Sequence, residues 1–264
     1  MKKQKKKRTH LTTKNTRKKG ASVPKYQTIK HQERLPFPIN PLIMLSNNTI
    51  LDGQHRYEVC TSMKLPFNYM VLNYSPDELY SEKFIAHFTE ILNGQEKVFD
   101  DAVQQYKVSP EDIVLLTSSF FRMRKFYQYK EYFTGEKYWN TLLHSYQTSD
   151  NNRHNQTILK ELFNSDEPGK DSIMTFEERK FLKNLPDEVT IYRGMTVDEQ
   201  QSGDFGISWT LDKKVGEKFI NSYWRNLDTN HIAERTIHEL KIKKEKIIAV
   251  LLSRDEMEVI YLHS

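Results

Sequence analysis

The sequence predicts an α+β protein built as a small α/β unit at the front, a helical middle and a strand-rich last third. Three observations carry this. Short apolar runs broken by turn residues fill residues 35–73. From Ser75 to Phe181, Ser-Pro-acid starts precede apolar residues at three and four spacing. After residue 186 come strand-like segments with one helix signal. The expected boundaries are a basic arm over 1–24, a front unit over 25–74, and a second unit over 75–264 whose core is 186–264.

With 264 residues, the chain has room for one or two domains of about 150 residues each. Its formal charge of +5 is unevenly spread. Residues 1–20 hold ten Lys and Arg and no acid, which leaves 30 basic against 35 acidic side chains in the other 244. A body of charge −5 therefore follows a strongly basic leader. This excludes a protein basic on all its folded faces, able to follow phosphates over a wide surface. The leader repels itself and has almost nothing apolar to bury, so a solvated arm is expected. Such an arm serves as a solubility tail, or attracts DNA, RNA or another polyanion in a salt-dependent way.

No apolar run approaches the roughly 20 residues that span a bilayer, and no apolar stretch follows the basic leader as an export signal requires. A soluble, cytoplasmic protein without a membrane partner is expected. The lone Cys60 permits no internal disulfide and makes no zinc site by itself, which fits a reducing compartment and no bound metal.

In the front unit, residues 41–73 read as strand, turn, strand, tight turn, helix and strand. Asn47-Asn48 suits a hairpin turn because Asn tolerates positive φ. Asp52-Gly53 ends the second strand, and 54–63 forms a short helix with His55 and Arg56 in its first turn. Backbone amides at a helix start, beside Arg and His, suit a phosphate.

In the middle, Ser75-Pro76-Asp77-Glu78 and Ser109-Pro110-Glu111-Asp112 each offer a Ser cap, Pro at the first helical position and acids in the first turn, so two helix starts are predicted. Phe120, Phe121, Phe126, Tyr127, Tyr129, Tyr132, Phe133, Tyr138 and Trp139 form an aromatic set beside Arg122, Arg124 and Lys125. Bases can stack on such a set, but its helical spacing favours a core. Residues 149–156 and 165–172 are expected loops.

In the last third, 187–195 is a strand with Arg193 near its end, followed by a polar loop over 196–206. Residues 206–220 are a strand and then a helix opened by Asp212, and 247–262 are two strands joined by a tight turn at Ser253-Arg254-Asp255. Alternation sets Ser208 and Thr210 on one face with Trp209 on the other, and groups Glu256 with Glu258. Two such carboxylates repel and are costly to bury unless cations or hydroxyls face them, and Arg193 and Ser208 are the partners if the three strands are neighbours. A solvent-facing edge strand is the other arrangement that suits both acids.

Leu51-Asp52-Gly53-Gln54-His55-Arg56-Tyr57 resembles the signature of the ParB and sulfiredoxin superfamily, over about residues 35–73. The resemblance implies a phosphate pocket lined by Gly53, His55 and Arg56, with Asp52 at its edge. Gln54 stands where sulfiredoxins carry their catalytic Cys, so that chemistry is not implied, and Cys60 is expected on the buried side of the helix. A unit kept for binding or scaffolding is the other reading.

Tyr192-Arg193-Gly194, then Ser208-Trp209-Thr210 with a helix after it, then Glu256-Met257-Glu258, are similar to the Arg, Ser-x-Ser/Thr and Glu-x-Glu pattern of mono-ADP-ribosyltransferases of the arginine-specific toxin class. Trp209 and Thr210 depart from the commonest Thr and Ser. The resemblance spans about residues 100–264 and implies a split β-sandwich, two twisted sheets with NAD+ as the substrate in the cleft between them.

It also implies roles. Arg193 pairs with NAD+ phosphate oxygens, for which its planar fork is better suited than Lys. Gly194 lets the backbone approach the nicotinamide amide, Ser208 holds Glu258 by a hydrogen bond, and Thr210 supports the strand and ribose contacts. Phe219 or Tyr223 stacks on the nicotinamide ring. Glu258 grips the ribose 2′-hydroxyl and stabilises the oxocarbenium-like transition state. Glu256 orients and deprotonates the acceptor, an arginine guanidinium, and Arg254 and Asp255 face the acceptor protein.

The function so implied is transfer of ADP-ribose from NAD+ to a protein arginine, with release of nicotinamide. Two other readings stand beside it. One is an NAD+ glycohydrolase without a protein acceptor. The other is a nucleic-acid or nucleotide-binding ParB-like module with a vestigial transferase domain.

Overall fold

The computed structural model describes residues 42–53, 57–58, 61–62, 69–79, 81–150, 152–220 and 234–263. It is a mixed helix and strand fold with two sheets. The basic arm, Gln54, His55, Arg56, Cys60 and Tyr223 lie outside the described residues.

The front sheet starts with β1 (Leu42–Leu45), apolar and buried at every position. A turn with Asn48 at φ 67° returns the chain as β2 (Ile50–Asp52), antiparallel to β1. The Asn47 side chain accepts from Thr49 N at 3.0 Å, which shapes the turn the Asn pair predicts. Gly53, at φ 90°, ends the strand. Tyr57, Glu58, Thr61 and Ser62 are helical, and β3 (Tyr69–Leu72) then pairs parallel with β1, giving the order β2-β1-β3.

Ser75-Pro76 opens only a single 3-10 turn, Pro76–Glu78, although it carries a full capping box. The long helix restarts six residues later. In α1 (Glu82–Tyr106) the Ser81 hydroxyl accepts from Phe84 N at 3.2 Å. Phe84, Phe88 and Leu92 recur every four residues and close the front sheet's core with Ile43, Leu45, Leu72 and Phe121. Farther along, Phe99 and Val103 pack on Ile113 of α2 (Pro110–Leu116), where the Ser109 cap accepts from Asp112 N at 3.1 Å. The boundary expected at residue 74 therefore runs through a continuous core, and the first half of α1 belongs with the front sheet.

Helices α3 (Arg122–Tyr129), α4 (Gly135–Thr148) and α5 (Gln156–Phe163) form the main core around Trp139, Phe126, Phe133 and Phe163. Most of the aromatic set is thus structural, although Tyr132 is exposed. Its cations are structural too. Arg122 donates to the Thr148 and Thr117 carbonyls at 2.9 Å each. Lys125 meets Glu96 at 3.0 Å and also pairs with Asp100. Burial raises the Glu96 carboxyl above its ordinary value. Burial also pulls on the Lys125 ammonium, but its bonds to Asp100 and Glu96 outweigh that and hold it above its usual value.

A polar tie joins the front sheet to the helical middle. The Ser119 hydroxyl lies 3.2 Å from Asp52 at the end of β2 and 2.6 Å from Asp150, just after α4. Among the described residues no helix is long and apolar enough to cross a membrane.

Helix α6 (Phe176–Asn184), opened by the Thr175 capping box, leads into the rear strands: β4 (Glu188–Thr196), β5 (Ser208–Thr210), β6 (Arg235–Lys243), β7 (Ile247–Leu251) and β8 (Glu258–Tyr261). They make one antiparallel sheet in the order β6-β4-β5-β8-β7, where two sheets were expected. The expected division into two sheets is not found; within the one sheet the β4–β5 junction is splayed. β4 pairs with β6 over nine residues but meets β5 only through Tyr192 and Thr210.

Along β8 the two faces alternate. Ile260 joins the helical core, while Val259 and Tyr261 join the opposite core with Trp209 and Ile191. The loop expected over 196–206 contains α7 (Val197–Ser202), capped by Thr196 and ended by Gly203 at φ 69°. Helix α8 (Lys213–Ile220) follows β5, with the Asp212 side chain accepting from Lys214 N at 2.9 Å.

Candidate active site

Beyond the Tyr192–Thr210 pair β4 and β5 part, and a cleft of about 280 Å³ opens there. Its walls include Arg193, Gly194, Ser208, Thr210, Phe219, Glu256 and Glu258, the described residues nominated for catalysis or NAD+ contact, while Asp255 is not among the lining residues. Gly53 closes β2 in the front sheet and is not among the lining residues.

Glu258 opens β8, lies opposite Thr210 of β5 and Leu251 of β7, and is 7% exposed. Its Oε1 accepts from the Ser208 hydroxyl at 2.6 Å and from the Tyr146 hydroxyl of α4 at 2.5 Å. Burial, and after it the neighbouring Glu258 carboxylate, push the Tyr146 phenol well above its ordinary value, so it stays protonated and donates. A buried carboxylate that, among the described residues, is held by two hydroxyls in the wall of a cleft suits the stabilisation of developing positive charge.

Arg193 does not bond either carboxylate of the Glu-x-Glu pair. Its Nε donates to Glu199 Oε1 on α7 at 2.8 Å and its Nη1 to the Ser208 carbonyl at 2.7 Å. The second bond spans the splay, a side chain doing there what the β4–β5 ladder does not. Gly206 is what lets the guanidinium lie flat: a Cβ on it would sit 2.4 Å from Arg193 Nη2 and 2.8 Å from Cζ. Gly206 N also donates to Glu199 Oε1, at 2.9 Å.

Gly194 has a comparable reason. A Cβ there would meet the Gly216 carbonyl at 2.4 Å, so this position lets the backbone of α8 close on β4. That packing sets Phe219, 37% exposed, at the mouth of the cleft.

Glu256 is not on the strand face that alternation assigns to it. Asp255 and Met257 have φ of 55° and 44°, so the chain is still turning, and the strand begins at Glu258. The two acids still reach one cleft because Thr210 ties the turn down. Its hydroxyl donates to the Glu256 carbonyl at 2.6 Å and accepts from Asp212 N at 3.0 Å.

Sequence reasoning missed the wall supplied by the helical middle. Tyr146, Ser149, Asn152 and Gln156 all line the cleft. Asn152 Nδ2 donates to the Tyr146 carbonyl at 2.8 Å, and Gln156 Oε1 accepts from Ile207 N at 3.2 Å. Ser149 Oγ and Asn152 Oδ1 are buried and make no hydrogen bond among the described residues, as in a wall that a polar ligand completes. Arg153, Arg235 and Arg254 bring three further guanidinium groups to the lining, and Arg254 donates to the Gln147 carbonyl. Glu199 had a legible signal, since Thr196-x-x-Glu199 is a helix-start pattern. Tyr146 had none, for it sits at core spacing with Trp139 and Leu142.

Among the described residues, no group of three or more His, Cys, Asp or Glu side chains is arranged to hold a metal ion. Comparison of the chain with protein-family models, with curated proteins and with solved structures finds no match.

Proposed function

We propose that the chain is an NAD+-dependent mono-ADP-ribosyltransferase, which moves ADP-ribose onto an arginine side chain of a protein acceptor and releases nicotinamide. The observation that carries this reading is the buried Glu258 carboxylate, held by Ser208 at 2.6 Å in the cleft that Arg193 and Glu256 also line. NAD+ suits the donor set. Its pyrophosphate matches a lining with four guanidinium groups, its nicotinamide ring matches Phe219 at the mouth, and its hydroxyls and amide match the unsatisfied Ser149 and Asn152. At about 280 Å³ the cleft is near the lower end of ligand pockets, roughly 300–1,000 Å³, which fits the nicotinamide-ribose end of the molecule.

The bond from ribose C1′ to the pyridinium nitrogen breaks, and its electron pair leaves with neutral nicotinamide. The cationic sugar carbon is stabilised by Glu258 more than the ground state is. A guanidinium nitrogen of the acceptor then bonds to C1′ and gives up its proton to Glu256. The front sheet, with its Asp52-Gly53 turn, is read as a ParB-like nucleotide or nucleic-acid module that selects where the transferase acts in the cytoplasm.

The test is NAD+ labelled in its adenosine half, incubated with the chain and either agmatine or a cell lysate. Label on guanidinium nitrogen is the expected result, and label that stays in free ADP-ribose assigns a glycohydrolase instead. A second outcome follows from the packing of Gly206. Gly206→Ala, which displaces the Arg193 fork, is expected to lower kcat/KM for NAD+ by on the order of tenfold to a hundredfold with the far-ultraviolet circular dichroism unchanged.

A further inference from the structure

We propose that Tyr146, on a helix outside the sheet that carries the Arg, Ser and Glu residues, is a positioning residue that decides which oxygen of Glu258 meets the substrate. The inference rests on Glu258 being the catalytic carboxylate. Both hydroxyl donors fall on the same oxygen, Ser208 Oγ at 2.6 Å and Tyr146 Oη at 2.5 Å from Oε1. A carboxylate oxygen has two lone pairs, so Oε1 is filled and Oε2 is left for the cleft.

The two donors come from different elements. Ser208 belongs to β5 of the sheet, and Tyr146 to α4 of the helical middle, 112 residues away from Glu258 along the chain. With one donor the carboxylate can still rotate about its last torsion. With two, that torsion is fixed before the substrate arrives.

Tyr146 is itself held. Its ring packs edge-on against Phe163 at 5.5 Å, its backbone carbonyl accepts from Asn152, and it is 6% exposed. Burial, and after it the neighbouring Glu258 carboxylate, hold the phenol well above its ordinary value, so it keeps the proton that it donates to Oε1. Packing alone would be served by Phe at this position, and the hydroxyl is what the clamp adds.

Tyr146→Phe in the full chain keeps the ring and removes only the hydroxyl. The expected result is a fall of about 10- to 100-fold in kcat for nicotinamide release, with KM for NAD+ within about twofold. In a Glu258→Gln background the same substitution is expected to leave the residual rate unchanged, because the two groups act as one unit. Phe163→Leu serves as the packing control: it disturbs the ring's neighbour, keeps the hydroxyl and is expected to retain kcat.

An unchanged kcat in Tyr146→Phe, while wild type cleaves NAD+ and Glu258→Gln does not, overturns the role of Tyr146 and leaves the reading of the site standing. So does a Phe163→Leu loss as large as that of Tyr146→Phe. No cleavage by wild type overturns the reading on which the inference rests.

Discussion

Glu258→Gln is expected to lower kcat for nicotinamide release by about 10² to 10³-fold, the usual cost of removing one preorganised electrostatic partner. Gln is the informative replacement because its carbonyl oxygen can still accept from Ser208 and Tyr146, so the 2.6 and 2.5 Å contacts and the start of β8 survive. What is lost is the negative charge, which stabilises the cationic sugar in the transition state and does little for the bound substrate. KM should therefore move far less than kcat. A variant that cleaves NAD+ at the wild-type rate would remove Glu258 from the chemistry.

Glu256→Ala should separate the two half-reactions. Transfer to a guanidinium acceptor is expected to fall by about 10² to 10⁴-fold, the contribution typical of a general base, while nicotinamide release into water stays within a few-fold. The local geometry allows so clean a division. Thr210 holds this turn through the Glu256 backbone carbonyl, and the bends lie at Asp255 and Met257, so these features of the turn do not depend on the Glu256 carboxylate. Equal loss of both activities would show that the two acids do not divide the work, and undiminished transfer would exclude Glu256 as the base.

The parts of this fold that were legible are those where a local pattern has one physical solution. Ser109-Pro110 caps a helix, Asn48 turns a hairpin, Phe84, Phe88 and Leu92 make a helix face, and Ser208-Trp209-Thr210 alternates between cleft and core. Where neighbours compete, the pattern misleads. Ser75 and Ser81 both offer caps six residues apart, and the second takes the long helix. Alternation fails at Glu256 because left-handed backbone at Met257 interrupts the strand the two acids were expected to share.

β6 was unread because Arg235, Glu239, Lys241 and Lys243 mask its pairing with β4 along the whole of its length. Of the site, the Arg, Ser and Glu residues were legible as spaced motifs. The Tyr146 contact was not, since nothing in a core-spaced tyrosine tells that its hydroxyl ends on a carboxylate of another element. Arg193 was legible as a residue but not in its bonds to Glu199 and the Ser208 carbonyl, which depend on how the sheet splays.

Incubating the full chain with NAD+ and agmatine and following nicotinamide by chromatography reaches the chemistry without any choice of protein acceptor. Nicotinamide should accumulate over many turnovers per chain with wild type and fall to near background with Glu258→Gln. A folded wild-type chain that leaves NAD+ intact would contradict the reading of this cleft.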